Sequence, residues 1–375
     1  MASWRGVRME SLVTPEATVE ISLAEGEVRE PSPDEVIVRV EAAPINPSDL
    51  GVMLALGDPG RAEFGGSDEC PVVTVPLSPG AFKAVGARVG KPVPLGNEGA
   101  GTVVAAGSGD LAQSLSGRLV AVSGGGLYSE YRRASASACL PLPDGITAAQ
   151  GAAAYVNPVT ALGMVETMRS EGHEGLVHTA AASGLGQMLV RLCAEEGVPL
   201  VNVVRSPAQV ALLREAGAEY VCDSSSENFE SELTAALQET GATLAFDAVA
   251  GGNLADRILA CMERAISAGA EYDIYGADVH KQVYLYGNLD RSATELRRTY
   301  GMSWGVAGWL MPRFLQRAGR ERVAQLRERV AAGLTSTFAT NFTDRVSLAE
   351  ALKPEAFTAY GRPNTGTKFL VTPNQ

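Results

Sequence analysis

The sequence predicts an α/β protein of two parts, a β-rich domain followed by a doubly wound parallel sheet covered by helices. Three observations predict it. Short β-type runs alternate with Gly and Pro up to about Ala148. Beyond Ala148, nearly all-apolar strands alternate with helical patterns, as in a parallel sheet buried on both faces. From Thr335 the pattern turns β-like again, and this tail is expected to pack back on the first domain. The expected division is residues 1–150, completed by about 335–375, and residues 151–334.

In the first part the strands are read at Glu35–Ala43, Gly99–Ala106 and Gly117–Ser123. The stretch Leu56–Pro94 is rich in Gly, Pro, Asp and Ser and reads as a long, partly irregular surface excursion. In the second part Gly175–Ala181 is a short apolar strand. A helix follows at Leu185–Glu196, with Leu185, Met188, Leu189 and Leu192 on one face. Pro199–Val204 is a buried strand. Pro207 suits a helix start, and Gly217 closes that helix. Further strands are expected at Glu219–Cys222, Thr243–Val249 and Gln282–Gly287, with helices at Phe229–Gln238 and Asn253–Ile266. Gly301–Phe314 carries Trp304 and Trp309, and a charged helix spans Glu321–Ala332. The tail reads as β-like at Thr335–Phe342 and Lys368–Val371.

The 375 residues suffice for two cores, and 46% hydrophobic with 20% charged residues is an ordinary globular composition. A formal net charge of −12 argues against nucleic acid or an anionic membrane as partner. It leaves room for a phosphorylated cofactor, because a few local cations can dominate one pocket. No run reads as a signal peptide or a membrane span, so the expected location is cytoplasmic. Cys70, Cys139, Cys193, Cys222 and Cys261 are scattered and odd in number, which suits reduced thiols better than disulfides or structural zinc.

Between the strand ending at Ala181 and the next helix lies Ala182-Ser183-Gly184-Leu185-Gly186-Gln187. Small residues there let a ligand approach the backbone, and the helix start offers unpaired N–H groups and a positive dipole end. This is the place of a dinucleotide diphosphate in a Rossmann domain, although the third Gly of G-x-G-x-x-G is replaced by Leu189. The second strand ends Val203-Val204-Arg205-Ser206, without the acidic residue that would bind a ribose 2′-hydroxyl. Arg205 suits a 2′-phosphate, with Ser206 as a further donor, so NADPH is the expected cofactor. A charged hydrogen bond of this kind is worth ~1.5–3 kcal/mol.

The segment Ala42-Ala43-Pro44-Ile45-Asn46-Pro47-Ser48-Asp49 resembles a signature of the medium-chain dehydrogenase/reductase superfamily, in its zinc-independent branch of quinone oxidoreductases and 2-enoyl-thioester reductases. Gly96–Gly101, Tyr128-Ser129-Glu130-Tyr131, Asn157–Ala161, the Ser183 loop and Tyr286-Gly287 extend the resemblance along nearly the whole chain. It implies a GroES-like β-rich catalytic domain with a Rossmann domain inserted, and an active site in the cleft between them. It implies that Asn46 and Thr160 lie near the nicotinamide, Ser183, Gly184 and Leu185 near the diphosphate, and Arg205 near the 2′-phosphate. Val249, Tyr286 and Gly287 would border the cofactor, and Lys368 would approach its phosphates or its nicotinamide end. Zinc relatives carry Cys where this chain has Asn46 and His where it has Asn97, so no metal is expected. His173, His178 and His280 are not spaced as ligands.

Without a Lewis acid, hydride transfer to a quinone or an activated C=C bond is easier than ketone reduction, because the acceptor's conjugation spreads the developing charge. Asn46 and Thr160 are the candidates for positioning and donation. Tyr128 is either a proton donor or a cleft-wall aromatic, and water is the other proton source, since the tyrosine that follows N-P-S-D in enoyl-thioester reductases is absent. The Leu56–Pro94 stretch and the Trp304–Trp309 region either shape the substrate pocket or elaborate surface and core. Three functions stay open: a quinone or enone reductase, an enoyl-thioester reductase, and a catalytically silent NADPH-binding protein. A homodimer is expected, pairing through an edge strand of the Rossmann sheet at Gln282–Gly287.

Overall fold

The computed structural model describes residues 4–361 and 366–374. Two compact units divide the chain: Met1–Val156 with Arg327–Gln375, and Asn157–Leu326.

The first unit is built on two sheets. Alternating burial along Trp4–Val13 turns Met9, Ser11 and Val13 inward, as period-2 patterning dictates. This strand forms a hairpin with Thr18–Val28. Their sheet runs Glu63–Gly66, Pro71–Pro76, Thr18–Val28, Trp4–Val13, Val93–Pro94. Three of these strands come from the stretch read as a surface excursion, and that reading is corrected. Pro71–Pro76 pairs antiparallel with Thr18–Val28 and buries Val73 and Val75, while Leu77 and Leu95 enter the same core. The strand has only four residues between its two prolines, which is why it reads as loop.

The second sheet runs Cys139–Pro141, Leu119–Ser123, Glu98–Ala106, Glu35–Pro44, Phe369–Val371, Asp344–Val346, with Tyr131–Ser135 also paired to Glu35–Pro44. The tail therefore docks as expected: Leu370 and Val371 pair with Pro44 and Ala43. Thr335–Phe342 is not a strand. It is turn and irregular chain, with Leu334 and Phe338 buried, and the late strand is Asp344–Val346.

The second unit holds a six-stranded, all-parallel sheet in the order Tyr220–Asp223, Leu200–Val204, Leu176–Thr179, Leu244–Asp247, Lys281–Leu285, Trp304–Gly308. In chain order this is 3-2-1-4-5-6, the doubly wound arrangement. One face packs Val177, Val201, Val203 and Val283 on Phe229, Leu233, Ile258 and Met262. On a helix at Val156–Ser170, Gly163 lies close against Trp309 and Phe314, and Trp309 Nε1 donates to Thr167 Oγ1 at 3.1 Å. Gln282–Gly287 is not an edge. Its strand Lys281–Leu285 is interior, and Trp304–Gly308 lies outside it. Glu321–Ala332 is the second half of a helical run, Met311–Ala332, that breaks at Gly319 (φ +81°).

Candidate functional site

In the sheet of the second unit the winding reverses between Leu176–Thr179 and Leu244–Asp247, and ligands of such sheets bind outside the carboxyl ends at that point. The Ser183 loop leaves the first of these strands. Ala180 turns it with φ +51°, and Ser183 caps the helix Gly184–Glu196, its Oγ accepting from Gly186 N at 3.2 Å. Ser183 and Gly184 are exposed, whereas Leu185 and Gly186 are buried. The two glycines do different work. A Cβ on Gly186 would collide with the Ala181 carbonyl oxygen, so this glycine lets helix and strand approach. A Cβ on Gly184 would meet only Asn157 Nδ2, at 3.8 Å, so this glycine keeps open the space in front of the helix start. An open, small-residue helix N-terminus on a thirteen-residue helix fits a diphosphate.

The other expected cofactor residues of this unit stand on neighbouring carboxyl ends. Arg205 follows Leu200–Val204 with its side chain exposed, its backbone N–H donating to Gln209 Oε1 at 3.0 Å. Ser206 stands at the N-cap position of the next helix, with no capping hydrogen bond from its side chain. Val249 follows Leu244–Asp247, and Gly287 follows Lys281–Leu285, where a Cβ would strike the Ala248 backbone. Tyr286 turns inward: its hydroxyl lies 2.7 Å from His178 Nε2 and the rings stack at 5.7 Å. Burial pushes His178 down to about 3, so it is a neutral core histidine. Thr160 is buried near the start of Val156–Ser170.

The first unit gathers a buried polar cluster. Asn46, Asp49 and Glu98 are each 1% exposed. Asn46 precedes the helix Pro47–Leu54, and Asp49 in its first turn accepts from Asn46 N at 2.9 Å and from Asn97 N at 2.7 Å. Glu98 accepts from Asn46 Nδ2 at 2.8 Å and from the backbone N–H groups of Tyr155 and Val156 at 2.8 and 2.9 Å. Lys368 Nζ donates to Asn46 Oδ1 at 3.1 Å. Burial pushes Asp49 up to about 7, and the charge of Glu98 adds to the effect. Burial likewise raises Glu98, against the Lys368 ammonium, and lowers Lys368, against Glu98 and Asp49. Tyr128 is fully buried, its hydroxyl donating to Pro44 O at 2.9 Å. Among the described residues no three His, Cys, Asp or Glu side chains gather as metal ligands, and no helix is long and apolar enough to cross a membrane.

The structure thus brings Asn46 and Lys368 into direct contact in one unit and the Ser183, Arg205, Val249 and Gly287 segments to one end of the sheet in the other. Sequence reasoning gave no part to Glu98 or Asp247. Both are carboxylates at the end of an apolar strand or beside a glycine run, and an isolated acid in such a place is the signal that could have found them.

Residues 32–144 match the alcohol dehydrogenase GroES-like domain family, and residues 184–277 the zinc-binding dehydrogenase family. A quinone oxidoreductase of Pseudomonas aeruginosa is 36% identical over 142 residues, 37% of this chain and 43% of that protein. A mitochondrial enoyl-[acyl-carrier-protein] reductase of Xenopus tropicalis is 29% identical over 202 residues, 52% of this chain and 49% of that protein. The chain thus matches less than half the length of these curated relatives. Among solved structures, a candidate NADPH:quinone reductase of Mesorhizobium loti superposes with a TM-score of 0.72 at 26% identity, covering 98% of each chain. The quinone oxidoreductase of Escherichia coli complexed with NADPH shares the fold, with a TM-score of 0.67 at 20% identity over 98% of this chain and 100% of that one.

Proposed function

We propose that this chain, which belongs to the medium-chain dehydrogenase/reductase superfamily, is an NADPH-dependent oxidoreductase that reduces a quinone or an activated C=C bond without zinc. The observation that carries the reading is the open helix start at Ser183–Leu185, with an exposed Arg205, not an acidic residue, following the neighbouring strand. Backbone N–H groups there hold a diphosphate, and the Arg205 guanidinium and Ser206 hold a 2′-phosphate. Val249 and Gly287 border the dinucleotide. Bound NADPH supplies the hydride.

The remaining work falls to the chain's own groups. Asn46 is held from both sides, by Glu98 on its nitrogen and Lys368 on its oxygen. A side chain so fixed can orient a nicotinamide or donate its second N–H to a developing oxyanion, with no reorganisation during the reaction. Thr160, buried near the start of the helix Val156–Ser170, is the further donor that the family resemblance implies. Lys368 Nζ stands against Asn46, the position where zinc relatives have Cys, and an amine there in place of a metal ligand supports a metal-free reaction. Tyr128 gives its hydrogen bond to the Pro44 carbonyl and braces the segment leading to Asn46, so in this reading the proton comes from water. Two copies pair through the outer strand Trp304–Gly308, argued below.

Calorimetry with NADPH and NADH, and NADPH absorbance with quinones, enones and enoyl thioesters, test the reading. NADPH is expected to bind about 10- to 100-fold more tightly than NADH. Arg205→Ala should erase most of that gap, and Tyr128→Phe should keep full turnover with an enone. Binding of neither cofactor to folded protein overturns the proposal. The similarity to an enoyl reductase keeps a thioester acceptor as the second reading, and the preferred acceptor decides between them. Binding without turnover on any acceptor leaves a silent NADPH-binding protein.

A further inference from the structure

Asp247 is a fully buried carboxylate at the end of the strand Leu244–Asp247, beside the point where the winding reverses. It accepts three hydrogen bonds: from Thr179 Oγ1 at 2.6 Å, Val249 N at 2.9 Å and Ala250 N at 3.2 Å. Thr179, also fully buried, is the last residue of Leu176–Thr179, and its hydroxyl accepts from Ala248 N at 2.8 Å. The hydroxyl and carboxylate therefore close a ring across two adjacent strand ends. A third strand end joins through the backbone: Tyr286 N donates to Asp247 O at 3.0 Å, Leu289 N to Ala248 O at 3.1 Å, and Asp290 N to Val249 O at 2.9 Å.

The side-chain bonds lie outside any sheet ladder, whereas the backbone bonds continue one: Tyr286 N closes the last pair of the parallel sheet, Asp247 with Leu285, and Asp290 N opens a short parallel pairing of Ala250–Gly252 with Asp290–Thr294. They begin where the loops begin. One loop leads through Ala180 to Ser183, one carries Val249, and one carries Gly287. Ala250 stands at φ +68°, a conformation that costs a non-glycine residue energy and persists where its surroundings hold it, as Asp247 Oδ2 does here. A carboxyl group that meets a hydroxyl and two backbone N–H groups is fixed in place by the two strand ends it joins.

We propose that Asp247 and Thr179 are positioning residues for the dinucleotide, setting the register of the three loops that grip it. The inference rests on the NADPH reading above. It adds that the affinity of the crevice depends on two groups that touch no ligand themselves.

Thr179→Val keeps the side-chain volume and removes the hydroxyl, leaving Ala248 N–H and one carboxylate lone pair unmatched. Asp247→Asn keeps an acceptor but turns an amide N–H₂ toward a backbone N–H. Thr179→Ser restores the hydroxyl. Expected for Thr179→Val and Asp247→Asn are an NADPH Kd and KM raised about tenfold, kcat at saturating cofactor within about twofold, and recovery in Thr179→Ser. Hydrogen exchange should quicken together in 180–186 and 247–252 while Leu176–Thr179 stays protected. The inference falls if Thr179→Val lowers the melting temperature with an unchanged NADPH Kd, or if only one of the two loops loosens. Failure of the unaltered protein to bind NADPH removes the proposed function and this inference with it, and shows in the first titration, before any variant is made.

Discussion

Asp49 shows how one residue's surroundings set a pH response. Its carboxyl has two backbone N–H donors, yet burial and the neighbouring Glu98 outweigh them and push it up to about 7. In the unfolded chain it titrates near ~3.9. Between those values the folded state binds the extra proton, so the slope of unfolding free energy with pH is negative there. The contribution of Asp49 is fully present below about pH 4 and is lost as pH rises to about 7, by up to ~1.4 kcal/mol per unit. Glu98, raised by the same burial, acts in the same sense. Urea unfolding of the wild type and Asp49→Asn at pH 5, 6, 7 and 8 tests this. The stability advantage of the wild type over the variant should shrink steadily from pH 5 to pH 7 and level off by pH 8. A difference independent of pH would show that Asp49 is ionised throughout.

At the scale of elements, the two glycines of the helix start separate fold from function. Gly186→Ala drives a methyl group into the Ala181 carbonyl, which must push the helix Gly184–Glu196 off its strand. Overpacking of this kind costs about 1–3 kcal/mol or more. Gly184→Ala meets nothing nearer than 3.8 Å and should leave the melting temperature within about 2 °C while weakening NADPH at least tenfold, because the added methyl stands where the diphosphate approaches. If Gly184→Ala binds NADPH normally, the diphosphate is not at this helix start. The turn was legible in the sequence because its signals are local: an apolar strand, small residues, an amphipathic helix. The same holds for every strand of the parallel sheet whose residues are buried on both faces. Trp304–Gly308 was not legible, since two of its five residues are glycines and it depends on Lys281–Leu285 for its pairing. Nor was the helix Val156–Ser170, which carries Pro158 and Gly163 and is buried too broadly to show an amphipathic stripe. The polar cluster around Asn46 lay beyond local patterning altogether. It joins residues 46, 98 and 368 through tertiary pairing of Glu35–Pro44 with Glu98–Ala106 and Phe369–Val371.

For the molecule as a whole, the open question of partnership turns on one strand. Sheets expose unpaired N–H and C=O groups at their edges, and proteins that stay single blunt such edges with charge, proline or a covering element. The outer strand Trp304–Gly308 has no charged residue and no proline, and Ala307 and Gly308 are exposed. Antiparallel addition of a second copy across this strand would satisfy those groups and give a two-fold symmetric pair, the commonest form of closed assembly. Ala307→Lys places a charge on the exposed face of the edge and should convert the pair to single chains. The variant should keep its melting profile at low concentration and its NADPH affinity, since the strand's inward residue Val306 packs on the core unchanged. Light scattering across a hundredfold concentration range measures both forms. A wild-type mass of one chain throughout that range, or a pair untouched by Ala307→Lys, would place any association on another surface.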